Sequence, residues 1–352
     1  MSGIQRIGAD RRERLLTSYI AGLAFLFVRA GQQLVLLPAF LLAWGPGLYE
    51  QWILLSAAAA FIGLADLGTR PYFHNKMLML WAAGDHVGYR RTFQTAICVM
   101  LTSVLFGLAA LGLGILMASV TGYLQSEFLD TSSAAFILFA LGVRALLDIP
   151  ADIFGSTHWA RREVTRNITL ATVWLSLELL GILLGLLLGL SPVALALVPL
   201  AIRSTFIVYW IIEVTSRYAD LNFRPLCPNA GELRELLRLG VSYLGLPIAQ
   251  LASFQGVVIA LAAVSQGPAI VVAFTAIRTL ASLLRQILER IAGLTAAEFA
   301  RSYAERHDQT LARVYLVFSR LFGGLAGLLI GAAWVYGPSI VPILTARKVA
   351  YE

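Results

Sequence analysis

The feature that most constrains this chain is a succession of long apolar runs, each near or above the ~20 residues a helix needs to cross a bilayer core. They read as about nine spans, at roughly 17–42, 49–67, 93–120, 133–154, 169–190, 193–213, 239–263, 268–290 and 315–336, with short polar connections between them. The runs are continuous rather than alternating, so they suit helices and not the strands of a membrane barrel. Of the 352 residues, 59% are hydrophobic and 13% charged, an apolar share that a water-soluble core does not absorb. The expected fold class is an all-α polytopic membrane protein. Its first run is too long for the core of a cleavable signal and is expected to be retained.

Charge sets the orientation. Arginine and lysine crowd the amino terminus (Arg6, Arg11, Arg12, Arg14) and the second, fourth, sixth and eighth connections, while the connections between those contain none. Positive connections stay in the cytoplasm, so the amino terminus is expected there, in a multi-pass protein of a bacterial inner membrane. Arg347 and Lys348 break the pattern, lying outside after nine spans. The same bias accounts for the net charge of +7 without nucleic acid as a partner. Basic connections also favour anionic membrane lipid.

Signals for an enzyme are poor. His74, His86, His158 and His307 are scattered through the connections without metal-ligand spacing, and neither a phosphate-binding glycine loop nor a nucleophile elbow is present. Cys98 sits in an apolar run and Cys227 in a polar loop, and neither suggests a disulfide or a metal site. Asp148 and Asp152 share a helix face, but a salt-bridged helix kinked at Pro150 explains them better than a magnesium pair. No catalytic residue, metal or cofactor is expected.

The chemistry lies in polar residues within the spans. In the eighth span Thr275, Arg278, Thr279, Ser282, Arg285, Gln286 and Glu289 follow helical spacing and form one polar face along an otherwise apolar helix. Such a helix lines a cavity. Arg29, Arg144, Arg203 and Arg278 each fall near mid-span. At about 3 kcal/mol apiece on insertion scales, the four would cost on the order of 12 kcal/mol facing lipid, so each needs water or a partner. Arg278 with its stripe, and Arg29 with Gln32 and Gln33, suit anion binding. Arg144 has Asp148 at i+4. Arg203 has no acidic neighbour in sequence and pairs with Glu178 across the short Ser191-Pro192 hairpin if it pairs at all. Glu178 and Asp148 are the candidates for ion coupling. Asp66 and Asp152 are expected to cap or pair locally.

Two glycine rows, Gly181-Gly185-Gly189 and Gly323-Gly327-Gly331, suit close helix packing. Tyr49, Trp52, Trp334 and Tyr336, near span ends, suit the membrane interface. The organisation expected is a first six-helix lobe over 1–215, a cytoplasmic linker over 216–238 and a partial second lobe of three helices over 239–352. On one common shift Asp66 meets Glu289, Asp85 meets Asp308 and Arg90 meets Arg313, which suggests parallel halves.

Three segments carry a resemblance: LYEQWILLSAAAAFIGLADLGTR in the second span, FTAIRTLASLLRQILER in the eighth and YGPSIVPILTARKVAYE at the end. They resemble polysaccharide flippases of the multidrug/oligosaccharidyl-lipid/polysaccharide exporter superfamily. The resemblance implies a two-lobe bundle of twelve or more helices around a central cavity that opens alternately to each side. It also implies outward movement of undecaprenyl-pyrophosphate-linked oligosaccharides for surface polysaccharide synthesis, with polymerase machinery as a further partner. This chain departs by ending where a tenth helix is expected, leaving the second lobe incomplete. On this reading Arg278, Arg29, Arg203, Arg144, Gln32, Gln33 and Arg285 bind substrate, because guanidinium forks match pyrophosphate oxygens. The alternatives are a truncated or accessory non-transporting membrane protein of a polysaccharide assembly complex, and a drug or cation exporter of the same superfamily.

Overall fold

The computed structural model describes residues 2–264, 267–304, 308–345 and 347, with the side chains of 2–16, 287, 289–314, 329 and 333 outside that description. Eight helical stretches among these residues are long and apolar enough to cross a membrane. The chain is a multi-pass membrane protein. The expected first and second spans are the two arms of one helix, α1 (Ser2–Ile62), so the eight stretches take in all nine expected runs.

The bend in α1 falls at Gly45, with φ 73° and ψ 177°. Positive φ excludes a side chain there, and Pro46 pushes its predecessor out of the helical region. Phe40, Trp44, Tyr49 and Trp52 close over the bend, with Phe40 centred 5.0 Å from Trp44, 5.3 Å from Tyr49 and 5.5 Å from Trp52. Tyr49 and Trp52, expected at the membrane interface, are thus buried packing residues. Trp334 and Tyr336 are exposed.

A 3-10 turn (Gly63–Asp66) leads through Leu67 and Gly68, both left-handed, into α2 (Thr69–Ala82). The polar stretch after the second span is therefore a helix and not an open connection. It buries Tyr72, Phe73 and Met77 and packs on α5 (Asp148–Ala160). Side-chain caps begin the next crossings: Asp85 accepts from Gly88 at the start of α3 (His86–Val120), and Asp130 from Ser133 at the start of α4 (Thr131–Leu146). Hydrogen bonds from Ser132 and Ser133 hold the Asp130 carboxyl well below the usual carboxylate range.

The expected fourth span is α4 and α5, interrupted at Leu147. Pro150 cannot donate to the Leu146 carbonyl four residues back, so the helix breaks where α4 ends. The hairpin α6 (Val164–Leu187) and α7 (Pro192–Arg217) turns on Ser191, which caps α7 with Pro192 next to it. An added Cβ at Gly181 or Gly185 would meet Val198, Ile202 or Leu195 of α7 at 2.5–3.0 Å, so these two glycines seat that hairpin. Among the described residues, nothing lies within 4 Å of a Cβ added at Gly323, Gly327 or Gly331.

Helix extends into both ends of the expected linker, leaving only 218–229 irregular before α8 (Ala230–Leu251), which opens on an Asn229–Glu232 capping box. A π turn (Ala252–Gly256) joins α8 to α9 (Val257–Val264). α10 (Pro268–Ala304) and α11 (Asp308–Leu344) follow and pack on each other. The first helix holds the assembly together, touching α4 and α6 on one side and α9, α10 and α11 on another.

Two apolar cores result. One surrounds the α1 bend, and the other lies among α2, α3, α5 and α7. At the edge of the second core the Arg161 guanidinium lies 4.5 Å from the Trp81 ring centre and 4.2 Å from that of Tyr218, and pairs with Asp220. The charge that sets topology here also packs.

The backbones of Gly68 and α8 nearly touch, since a Cβ on Gly68 would lie 2.2 Å from the Gly240 carbonyl oxygen. Gly68→Ala is expected to destabilise the fold by about 1–3 kcal/mol for the positive φ alone, read as a lower midpoint of thermal unfolding in detergent. Gly112→Ala, on α3 with nothing nearby, should leave the midpoint unchanged or raise it.

Candidate functional site

The mid-span arginines are brought to two cavities that share Arg29. The first, about 530 Å³, lies among α1, α5, α6 and α7 and holds a ladder of ion pairs. Arg144 reaches Asp148 at 3.3 Å and Glu178 at 3.1 Å. Arg203 pairs with Asp148 and lies 5.2 Å over the Phe206 ring. The Arg144–Asp148 pair matches its expected i, i+4 spacing. Arg203, expected against Glu178, instead takes Asp148, while Arg144 takes Glu178.

Arg70, expected only as a topological charge, closes the ladder. Its Nη1 meets Asp152 at 2.9 Å, its Nε meets Asp66 at 3.0 Å, and its Nη2 donates to the Gly63 carbonyl at 3.1 Å. Asp66 pairs locally, as its spacing suggests, whereas Asp152 finds its partner 82 residues away. Burial opposes the Arg70 charge, but Asp152 and Asp66 outweigh it and raise the guanidinium above its ordinary value. The sequence signal for Arg70 was its i, i+4 relation to Asp66.

A third cavity of about 450 Å³ continues from the first, sharing Arg70, Asp152, Arg203 and Phe206, and is walled by His74, Trp159 and Trp210. Of the two histidines here, His74 lies in the connection between two spans, which is helical, while His158 lies within a span. His74 stands on α2 with Nδ1 3.0 Å from the Ser156 hydroxyl, and burial lowers its pKa so that the ring favours its neutral form. His158 lies fully buried on α5, its Nε2 3.4 Å from Glu213, against the edge of Trp210. His86 begins α3. His307 lies outside the described residues. No group of three metal-ligating side chains occurs among the described residues.

The second cavity, about 420 Å³, lies between α1 on one wall and α8, the π turn and α10 on the other. Arg29, Arg278 and Arg285 line it with Gln33, Thr279 and Ser282, and no aspartate or glutamate stands among its described lining residues. Thr275, Arg278, Thr279, Ser282 and Arg285 thus follow the expected polar face, with Thr275 and Gln286 buried against the bundle. The Glu289 side chain lies outside the described residues.

The Arg278 Nη1 donates to the Phe254 carbonyl at 2.7 Å and to Gln255 Oε1 at 3.0 Å. The Phe254 carbonyl lies within the π turn, where the regular α-helical ladder is interrupted. The Arg278 fork is aimed by neutral acceptors. Arg285 stands 5.0 Å over the Phe254 ring, and Arg29 5.9 Å over Phe25. Gln33 accepts from Gln286 at 3.1 Å, tying α1 to α10 below the cavity. Gln32 faces the first cavity rather than the second. Gln250, Phe254 and Gln255 were missed, although two glutamines in an apolar span are a readable sign of a wet face.

The described residues form a helical bundle of membrane-length crossings around polar cavities. No family model matches the sequence, and no curated protein matches it. Among solved structures, an outward-facing multidrug resistance MATE family transporter of the MOP superfamily is matched over 99% of this chain and 77% of its own, with a TM-score of 0.59 at 15% identity. An inward-facing structure of such a transporter is matched over 95% of this chain and 73% of its own, with a TM-score of 0.59 at 17% identity. A MATE structure in complex with MaD5 is matched over 99% and 79%, with a TM-score of 0.58 at 18% identity. The fold is therefore the all-α exporter-type fold of MATE transporters.

The ladder predicts a coupling that can be measured. Arg144→Ala leaves Glu178 without the partner seen here, and should destabilise the chain by about 1–3 kcal/mol. That is less than for a fully buried pair, because Asp148 and the cavity admit water. Adding Glu178→Ala should recover part of the loss in a double-mutant cycle read by thermal unfolding.

Proposed function

We propose that this chain flips undecaprenyl-pyrophosphate-linked oligosaccharides across a bacterial inner membrane for surface polysaccharide synthesis, by alternating access. The observation that carries this reading is Arg278: its guanidinium is fixed by neutral acceptors at the wall of a cavity that Arg29 and Arg285 also line. Guanidinium forks match the spread charge of a pyrophosphate. A cavity for a cationic drug would be lined by acids. The acids that line the neighbouring first cavity, Asp148, Asp152 and Glu178, are instead held by arginines.

The proposed arrangement places the pyrophosphate at Arg278, Arg285 and Arg29, the sugars in the wet space toward the ladder, and the lipid tail in the bilayer. Arg144, Arg203 and Gln32 line the ladder cavity, and Gln33 the other, on either side of Arg29. Movement comes from the 1–215 and 239–352 groups of helices rocking about the 216–238 connection, as in transporters built from two such groups. Glu178 and Asp148 are the sites through which an ion would couple. Asp148 is shared by Arg144 and Arg203, and Glu178 also holds Arg144, so an ion bound at these acids would act on the same charges that face the substrate. No bond in the substrate is made or broken.

The test is reconstitution of the 352-residue chain into liposomes carrying undecaprenyl-pyrophosphate-linked oligosaccharide, with the sugar in the outer leaflet quantified by an impermeant enzyme. The intact chain should speed its transfer. Arg278→Ala should weaken binding by about 1.5–3 kcal/mol, roughly 10- to 100-fold in affinity, and Arg278→Lys should restore it only partly. Export of a cationic dye by the intact chain, without lipid transfer, would point to the drug exporter. No transfer of either would point to an accessory protein.

A further inference from the structure

The irregular segment 218–229 does not hang free between α7 and α8. It is fastened along one face of α3 by residues at helical spacing. Arg91 pairs with Glu232 at 3.0 Å; the Gln94 side chain donates to the Asn222 carbonyl at 3.2 Å; the Leu226 N–H donates to the Gln94 carbonyl at 3.1 Å. The next position on that face is Cys98. Its sulfur lies 3.2 Å from that of Cys227, about an ångström beyond a disulfide bond (~2.05 Å). The sequence alone gave no reason to join these two cysteines, which stand 129 residues apart.

We propose that Cys98 and Cys227 are a dithiol that closes to a disulfide when a peroxide reaches it. Cys227 is exposed and Cys98 is half-buried behind it, which assigns the first reaction to Cys227. The Cys227 thiolate attacks one oxygen of hydrogen peroxide and breaks the O–O bond, leaving a sulfenic acid and, after protonation, water. The Cys98 thiolate then attacks the sulfenic sulfur. The S–S bond forms, and the expelled hydroxide takes up a proton as a second water. Two electrons pass from the two thiols to the peroxide. The resolving thiol is already in place, held by the Arg91, Gln94 and Leu226 contacts, so the sulfenic acid has little lifetime. The bridge closes a 129-residue loop two positions before the Asn229 cap and so fastens the start of α8 to α3.

The test uses the purified full chain in detergent, treated with hydrogen peroxide and then with a mass-tagged maleimide. Both tags should be lost together, the intact mass should fall by two hydrogen atoms, and dithiothreitol should restore both thiols. Cys98→Ser should accumulate a dimedone adduct at Cys227. Oxidation should raise the unfolding midpoint of the intact chain but not of Cys98→Ser. Tags that persist, a stable one-oxygen gain on a single cysteine, or a bridge between two chains on a non-reducing gel would each overturn the proposal. None of these readouts needs a transport substrate, so they stand apart from the test of flipping.

Discussion

A guanidinium inside a bilayer must be met by water, an acid or a backbone acceptor, and the arrangement of this protein follows from how that requirement is satisfied. Arg144 and Arg203 are met by Asp148 and Glu178, and Arg70, just past the second crossing, by Asp66 and Asp152. Arg278 is met by a peptide oxygen and an amide. The first solution neutralises charge, and the second only orients it. A cavity built the first way is stabilised within itself, while one built the second way keeps its positive potential for something else. Arg29, common to both cavities, sits where the two solutions meet.

The backbone irregularities serve the same end. The bend at Gly45 lets one helix supply two crossings, and four aromatic rings hold its angle. Asp148, which pairs with Arg203, is the first residue after the break at Leu147. The π turn at 252–256 contains the carbonyl that accepts from Arg278. Each irregularity falls where a polar contact or a tight approach uses it, as expected of non-helical backbone at membrane depth.

The likeness to MATE structures in both outward- and inward-facing states, with equal TM-scores, belongs to the fold and leaves the cargo to the cavity's chemistry. On that criterion the contrast between the acid-matched ladder and the Arg278 wall carries the weight. The two cysteines, one on α3 and one in the segment that joins α7 to α8, line none of the three cavities described, and their chemistry is independent of what those cavities bind.

The sequence by itself determined that the chain crosses a membrane many times, that Arg144 and Asp148 pair, and that α10 carries a polar face. Each of these depends on residues a few positions apart, where helix geometry alone decides which side chains meet. The sequence could not decide that Arg203 takes Asp148 and leaves Glu178 to Arg144, that Arg70 reaches Asp152, that Tyr49 and Trp52 are buried, or that His158 lies in a core. It gave no sign that Cys98 meets Cys227. Those outcomes depend on which helix faces which across the bundle, and that is set by packing and backbone breaks over many residues at once.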